Sequence, residues 1–218
     1  EMCIRDRFMC HLASSYLLQG LNVLYITLEM AEERIAERID ANLLDVTMED
    51  LHDMPQQLYE GKITKLRQKT QGQLVIKEYP TASAHSGHFK SLMNELALKK
   101  SFRPDVIFID YLNICASSRF KGGNISSYFY VKAIAEELRG LAVEFNVPIF
   151  SATQTTRTGY VSTDIGLEDT SESFGLPATA DFMFALISNE ELEALGQMKV
   201  KQLKNRYNDP SINRAFIV

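Results

Sequence analysis

Hydrophobic positions along the chain switch repeatedly between helical spacing and unbroken apolar runs. Phe8, Met9, Leu12, Ala13, Tyr16 and Leu17 recur at three- and four-residue steps and predict a helix that Gly20 stops. Asn22 to Leu28 (NVLYITL) then predicts a strand, and Ala31 to Leu43 a helix with Ile35, Ile39 and Leu43 on one face. A short segment around Met48 to Leu51 leads to a helix over Gln56 to Gln71, where Lys62, Lys65, Arg67 and Lys69 mark a solvated face. Leu74 to Tyr79 reads as a strand stopped by Pro80, Thr81 to Gly87 as a polar loop, and His88 to Lys100 as a helix striped by Phe89, Leu92, Leu96 and Lys99. Asp105 to Ile109 (DVIFI) has the continuous apolar character of a strand buried on both faces. Beyond a Gly/Ser-rich loop, Ala116 to Ser127, the strongest helical periodicity of the chain runs through Val131, Ile134, Leu138, Leu141, Ala142 and Phe145 and ends before Pro148. Ile149 to Thr153, Phe182 to Ile187, Val200 to Leu203 and the final Ala215 to Val218 supply further strands, and no internal repeat interrupts the series.

Strands that alternate with helices, several of them apolar throughout, imply an α/β fold: a largely parallel sheet with helices on both faces and right-handed crossovers. The composition agrees. The chain has 218 residues, 45% of them hydrophobic and 23% charged, which suits one domain with a core and excludes disorder and collagen. Its 23 Lys plus Arg against 28 Asp plus Glu leave a formal charge of −5, so any nucleic-acid binding must use a local basic patch. The longest apolar run, Phe182 to Ile187, is far short of the ~20 residues a membrane span needs, and a soluble, intracellular chain without membrane partners is expected. Cys3, Cys10 and Cys115 are odd in number and widely spaced, which suggests reduced thiols rather than a disulfide frame or a zinc site.

In such a sheet the functional site lies at the carboxyl ends of the strands. Glu29 stands directly after NVLYITL, Asp110 directly after VIFI, and Gln154 after PIFSAT. Metal-assisted phosphoanhydride hydrolysis asks for this set: one carboxylate near Mg²⁺, a second to orient and deprotonate water, and an amide to contact the γ-phosphate. A lone Asp after an apolar strand also serves as a plain turn or helix cap, so the reading rests on the three together.

The segments LYITLEM, VIFIDYLNI, SATQTTR, DTSESFGLPATADFMFAL and QLKNRYND, in that order and spacing, resemble the RecA-like ATPase core of DnaB-type hexameric replicative helicases, most like those of T-even-type bacteriophages. The resemblance runs from about Phe8 to Val218. It implies an ATP- and Mg²⁺-dependent motor on single-stranded DNA that unwinds duplex at a replication fork, assembles as a homo-oligomeric, hexameric ring, works with a primase and a helicase loader, and acts in the cytoplasm of a bacterial host cell. By motif position Glu29 resembles the catalytic glutamate, Asp110 the Walker B aspartate that acts on Mg²⁺ through water, and Gln154 the γ-phosphate-sensing glutamine. Lys204 and Arg206 resemble the Lys-x-Arg pair that reaches across the subunit interface, with Arg206 as the arginine finger; a basic strand edge is the plainer reading of the pair.

One departure is large. The phosphate-binding loop GxxxxGK[ST] belongs immediately before the helix that starts near Phe8, and CIRDR stands there; the motif occurs nowhere in the 218 residues. Residues 1–7 (EMCIRDR) also resemble translated sequencing-adapter read-through and are set apart as foreign, with 8–218 expected to form a partial core truncated at both ends. The parent protein is expected to be an ATPase, while ATP binding by this chain stays open. DNA contacts are expected from Arg119 and Lys121, with Tyr128 and Tyr130 close behind, and from Arg157 with Tyr160, since cations that follow a backbone and rings that stack suit sequence-neutral single-strand binding. Mobile surface loops are the plainer alternative. His85-x-x-His88 lacks a third ligand nearby and is a poor metal pair. Two other functions stay in play: a recombinase or clock-type ATPase of the same fold, from which KNRYND with Glu29 separates this chain, and a non-catalytic assembly or binding module.

Overall fold

The structure is a computed structural model that describes residues 4–120, 125–155, 165–169, 175–209 and 211–218. Helix α1 (Ile4–Leu18), strand β1 (Val23–Thr27), helices α2 (Glu32–Leu44), α3 (Met48–Asp53) and α4 (Gln56–Lys69), strand β2 (Leu74–Glu78), helix α5 (Ser86–Lys100) and strand β3 (Val106–Asp110) follow one another. Helix α6 (Ser127–Phe145), strand β4 (Ile149–Ser151), helix α7 (Gly175–Thr179), strand β5 (Phe182–Ile187), helix α8 (Glu190–Ala194) and strands β6 (Lys199–Asn205) and β7 (Ala215–Ile217) complete the described elements. They form two compact units: Glu1–Ala116 with Gly140–Ala152, and Ser117–Arg139 with Thr153–Val218.

The first unit holds a four-stranded sheet in the order β2-β1-β3-β4, parallel throughout. Alternation along the strands sorts its side chains. Val23, Tyr25, Val106 and Phe108 share a core with Met9, Cys10, Ala13 and Leu17 of α1 and Ile35 and Ile39 of α2. Phe108 stacks between Tyr25 and Phe150, with ring centroids at 5.7 Å and 5.2 Å. Leu24, Ile26, Ile107 and Ile109 point the other way and are also fully buried, so β1 and β3 are covered on both faces as their apolar runs imply. In α1 the left-handed Gly20 follows the last turn, as expected, whereas the helix begins at Ile4, ahead of Phe8. In α5 the buried stripe is Phe89, Met93 and Leu96; Met93 takes the place expected for Leu92.

The second unit departs from the expected parallel order. Strands β5, β6 and β7 form a three-stranded antiparallel sheet. The reason is connection length: the links 188–198 and 206–214 are shorter than the crossover of about a dozen or more residues that a parallel pair needs. Ile165, Ala185 and Ile187 make its small core with Leu203 packed against them, and the buried Lys201 is satisfied by donating to Ile165 O at 2.7 Å.

Candidate functional site

The carboxyl edge of the parallel sheet is organised by its register. Thr27 and Asp110 are level as the last residues of β1 and β3, and Leu28 N donates to Asp110 O at 2.8 Å. The Thr27 hydroxyl accepts from Met30 N (3.0 Å) and donates to Met30 O (2.8 Å), which closes the turn carrying Glu29. Glu29 and Asp110, placed together by the sequence pattern, are therefore together in space, and one oxygen from each lies within 4.8 Å of the other and of an Asp6 oxygen.

Asp110 is fully buried. Tyr25 Oη donates to its Oδ2 at 3.2 Å, while Oδ1 accepts no hydrogen bond and lies 3.4 Å from Arg5 Nε. Burial pushes the Asp110 carboxyl up to about 6, the charge of Asp6 adding to the rise and that of Arg5 opposing it. Arg5 is the hub of the cluster. Its Nη2 donates to Glu29 Oε2 at 2.6 Å, its Nε donates to Asp6 Oδ1 at 2.8 Å, and its guanidinium carbon sits 4.0 Å above the centre of the Tyr111 ring. Arg38 Nη1 approaches Asp6 Oδ2 at 3.4 Å from α2. Glu29 is the exposed member, with 45% of its side chain accessible.

Three convergent carboxylates, one with an orphaned buried oxygen, are hard oxygen donors of the type a divalent cation such as Mg²⁺ takes, so the donor set fits a metal. Nucleotide phosphates fit less well. In a phosphate loop the Lys and Ser/Thr occupy the first helical turn. The first turn of α1 instead presents Arg5, already engaged by three carboxylates, and Asp6, an anion that repels phosphate.

Gln154 follows β4 after Ala152 and Thr153, is exposed, and belongs to the second unit. Lys204 and Arg206 lie in the same unit, at and just beyond the end of β6. Lys204 Nζ donates to Pro177 O and Ala178 O. Arg206 Nη2 donates to Ala178 O at 3.0 Å, and its Nη1 lies 3.1 Å from Asp181 Oδ1.

Of the expected DNA residues, Lys121, Arg157 and Tyr160 lie outside the described residues. Arg119 is exposed and ion-paired with Glu136 at 2.5 Å. The chain ahead of it is gripped by Glu137, which accepts from Ser117 Oγ (2.6 Å), Ser118 Oγ (2.8 Å) and Ser118 N (3.0 Å). Tyr130 Oη accepts from Ser117 N at 3.1 Å, so this ring braces the loop, while Tyr128 meets Phe129 edge-on. His85 and His88 form the capping box of α5, His85 Nδ1 accepting from Gly87 N and His88 Nδ1 from His85 N. Cys10 and Cys115 are buried and lie in no disulfide among the described residues; Cys3 lies outside them. Among the described residues, no helix is long and apolar enough to cross a membrane.

The four-stranded parallel sheet with its flanking helices has the RecA-like α/β fold. Residues 5–209 match the model of the DnaB-like helicase C-terminal domain, and the chain belongs to that family. It is 49% identical over 213 residues to the DnaB-like replicative helicase of Enterobacteria phage T4, which covers 96% of this chain and 45% of the relative. It is 34% identical over 144 residues to the "Probable plasmid replicative DNA helicase" of Chlamydia trachomatis, covering 64% of this chain and 30% of the relative. The chain thus spans less than half the length of these relatives. Two solved structures share the fold, each with a TM-score of 0.76. One is a DnaB-like replicative helicase studied for its interactions with primase (17% identity, 99% of this chain, 52% of that one). The other is a separately solved ATPase domain (18% identity, 98% and 75%).

The sequence pattern assigns no site role to Arg5 or Asp6. One signal pointed to Asp6: the buried stripe Leu17, Ala13, Cys10, followed backwards at the same spacing, arrives at it. Arg139 and Asp181, which surround Arg206, carried no signal in the pattern.

Proposed function

We propose that this chain is the motor-core segment of a replicative DNA helicase subunit, which assembles with copies of itself into a ring, hexameric by family resemblance, and uses ATP hydrolysis to move on single-stranded DNA and separate duplex at a fork. The observation that carries the reading is the adjacency of Glu29 and Asp110 at level strand ends, in a chain matched to the family from residue 5 to 209. Glu29, exposed at the edge, is the base that takes a proton from the attacking water. Asp110, with Glu29 beside it, would hold Mg²⁺ through water, the ion's charge offsetting that of the phosphates. Gln154 contacts the γ-phosphate, and Lys204 and Arg206 serve the nucleotide of a neighbouring subunit. Arg119, Lys121 and Arg157 follow the DNA backbone, Arg119 by exchanging Glu136 for phosphate. A primase and a loader are its partners, and a host-cell cytoplasm is its site of action.

A second reading concerns the 218 residues taken alone: a module that assembles without hydrolysis. The Arg5–Asp6 pair in the first turn of α1 favours it.

The test is ATP-dependent unwinding of a forked duplex by the full-length subunit, with strand exchange assayed beside it. Unwinding is expected and strand exchange is not; the reverse result would assign the protein to the recombinases. Glu29→Gln should retain nucleotide binding and lose hydrolysis, because an amide cannot accept the proton. Near-normal turnover in that variant would remove Glu29 from the role.

A further inference from the structure

Around the end of the antiparallel sheet, two guanidiniums converge on one acid, with Lys204 beside them on the carbonyls of α7. Arg206 N donates to Asp181 O at 2.9 Å, which brings residues 181 and 206 together beside the end of the β5–β6 ladder. From there Asp181 Oδ1 accepts from Arg139 Nη1 at 2.7 Å and lies 3.1 Å from Arg206 Nη1, so two guanidiniums share a single carboxylate oxygen. The remaining donors are directed at the carbonyls that end α7: Arg139 Nη1 to Thr179 O (2.7 Å), Arg206 Nη2 to Ala178 O, and Lys204 Nζ to Pro177 O. Burial and the charge of Arg206 lower the Lys204 pKa, a sign that the cations feel one another. Without an anion at its centre the group would splay.

We propose that Asp181 is the positioning residue for Arg206 and that Arg139 is the counter-ion that makes this possible. The inference rests on the reading of Arg206 as the residue that serves a neighbouring subunit's γ-phosphate. A guanidinium carries five N–H donors. Asp181 and Ala178 O engage two of the Arg206 nitrogens, which fixes the plane of the fork while 40% of the side chain stays accessible. A long side chain ordered in advance has less rotamer freedom to lose when the phosphate arrives. Asp181 alone would cancel the charge it positions. Arg139 neutralises Asp181, so the Arg206 charge stays available, and with Lys204 the group keeps a surplus of positive charge facing solvent.

The plainer possibility is a half-exposed ion pair that only secures a strand end, and such pairs contribute little to stability. Steady-state, DNA-stimulated ATP hydrolysis by the full-length subunit separates the two, with kcat and KM resolved and thermal unfolding followed in parallel. Asp181→Asn is expected to lower kcat by about tenfold with KM for ATP unchanged, the loss that follows when one rotamer-rich side chain must be ordered anew. Asp181→Glu should recover part of it, and Asp181→Asn should add nothing to Arg206→Ala. If Asp181→Asn does not assemble, Arg139→Gln carries the test and should lower kcat in the same way, by less. Full kcat in Asp181→Asn or in Arg139→Gln, beside an inactive Arg206→Ala, would overturn the positioning role and leave the reading of Arg206 intact. Full kcat in Arg206→Ala would overturn that reading itself, and the role of Asp181 with it.

Discussion

Arg5 Nη2 lies 2.6 Å from Glu29 Oε2, so a guanidinium from the first turn of α1 is bonded to the carboxylate that follows β1. Its Nε stands 3.4 Å from Asp110, and one side chain thereby balances both strand-end acids. In this chain Arg5 supplies the counter-charge to these acids, and Asp6 adds an anion where phosphate would approach.

The 218-residue chain is therefore expected to show ATP turnover at background level, with or without single-stranded DNA, in a phosphate-release assay. DNA-stimulated hydrolysis by this chain would show that Arg5 gives way to nucleotide. Arg5→Ala should cost roughly 3 kcal/mol of stability, because it leaves buried acids facing one another, and urea unfolding measures it.

The Cys10 thiol is fully buried, and burial pushes its pKa up to about 12. It should resist alkylation at pH ~8 in the folded chain and react fully in denaturant, as mass spectrometry of the labelled peptide would record. Rapid labelling in the native state would mean that α1 lifts from the sheet.

How much of this was legible beforehand follows from what each residue packs against. The runs NVLYITL and VIFI announced β1 and β3 because both faces of those strands are buried, and burial on both faces leaves an unbroken apolar signature. Glu29 and Asp110 followed as strand-end acids. Strand direction in the second unit was not legible, since FMFALI reads alike in a parallel and an antiparallel sheet and only its pairing with Lys199–Asn205 decides. Nor was the grouping of Arg139, Asp181 and Arg206: three charged residues far apart in sequence meet only when β5 and β6 pair beside α6.

Asp40 offers a test through pH. Burial raises its carboxyl pKa above the ordinary value, against the opposing hydrogen bond from Tyr59 Oη. A carboxyl whose pKa is higher folded than unfolded contributes stability that is fully present below the unfolded value and is lost as pH climbs through the folded one. Asp40→Asn, whose amide oxygen can still accept from Tyr59, should flatten the fall in urea midpoint as pH rises above about 4. Parallel curves for the two proteins would exclude Asp40 as the cause.

The last expectation concerns assembly. If Arg206 serves a neighbour's nucleotide, it stabilises charge developing on the γ-phosphate of the adjacent subunit and does nothing for its own, a contribution on the order of 10³ in rate or more. In the full-length subunit, Arg206→Ala should then abolish turnover while preserving nucleotide affinity and oligomerisation. Arg206→Lys should rescue little, because an ammonium lacks the planar fork that spans two phosphate oxygens and would also lose one of the contacts to Asp181 and Ala178 O. Titration of Arg206→Ala subunits into unsubstituted protein gives the decisive curve. Activity should fall more steeply than simple dilution if each inactive finger silences a neighbour's site and the subunits fire in coordination around a ring. A linear fall would assign one independent site to each subunit, and full turnover by Arg206→Ala alone would return Arg206 to the solvated edge of β6.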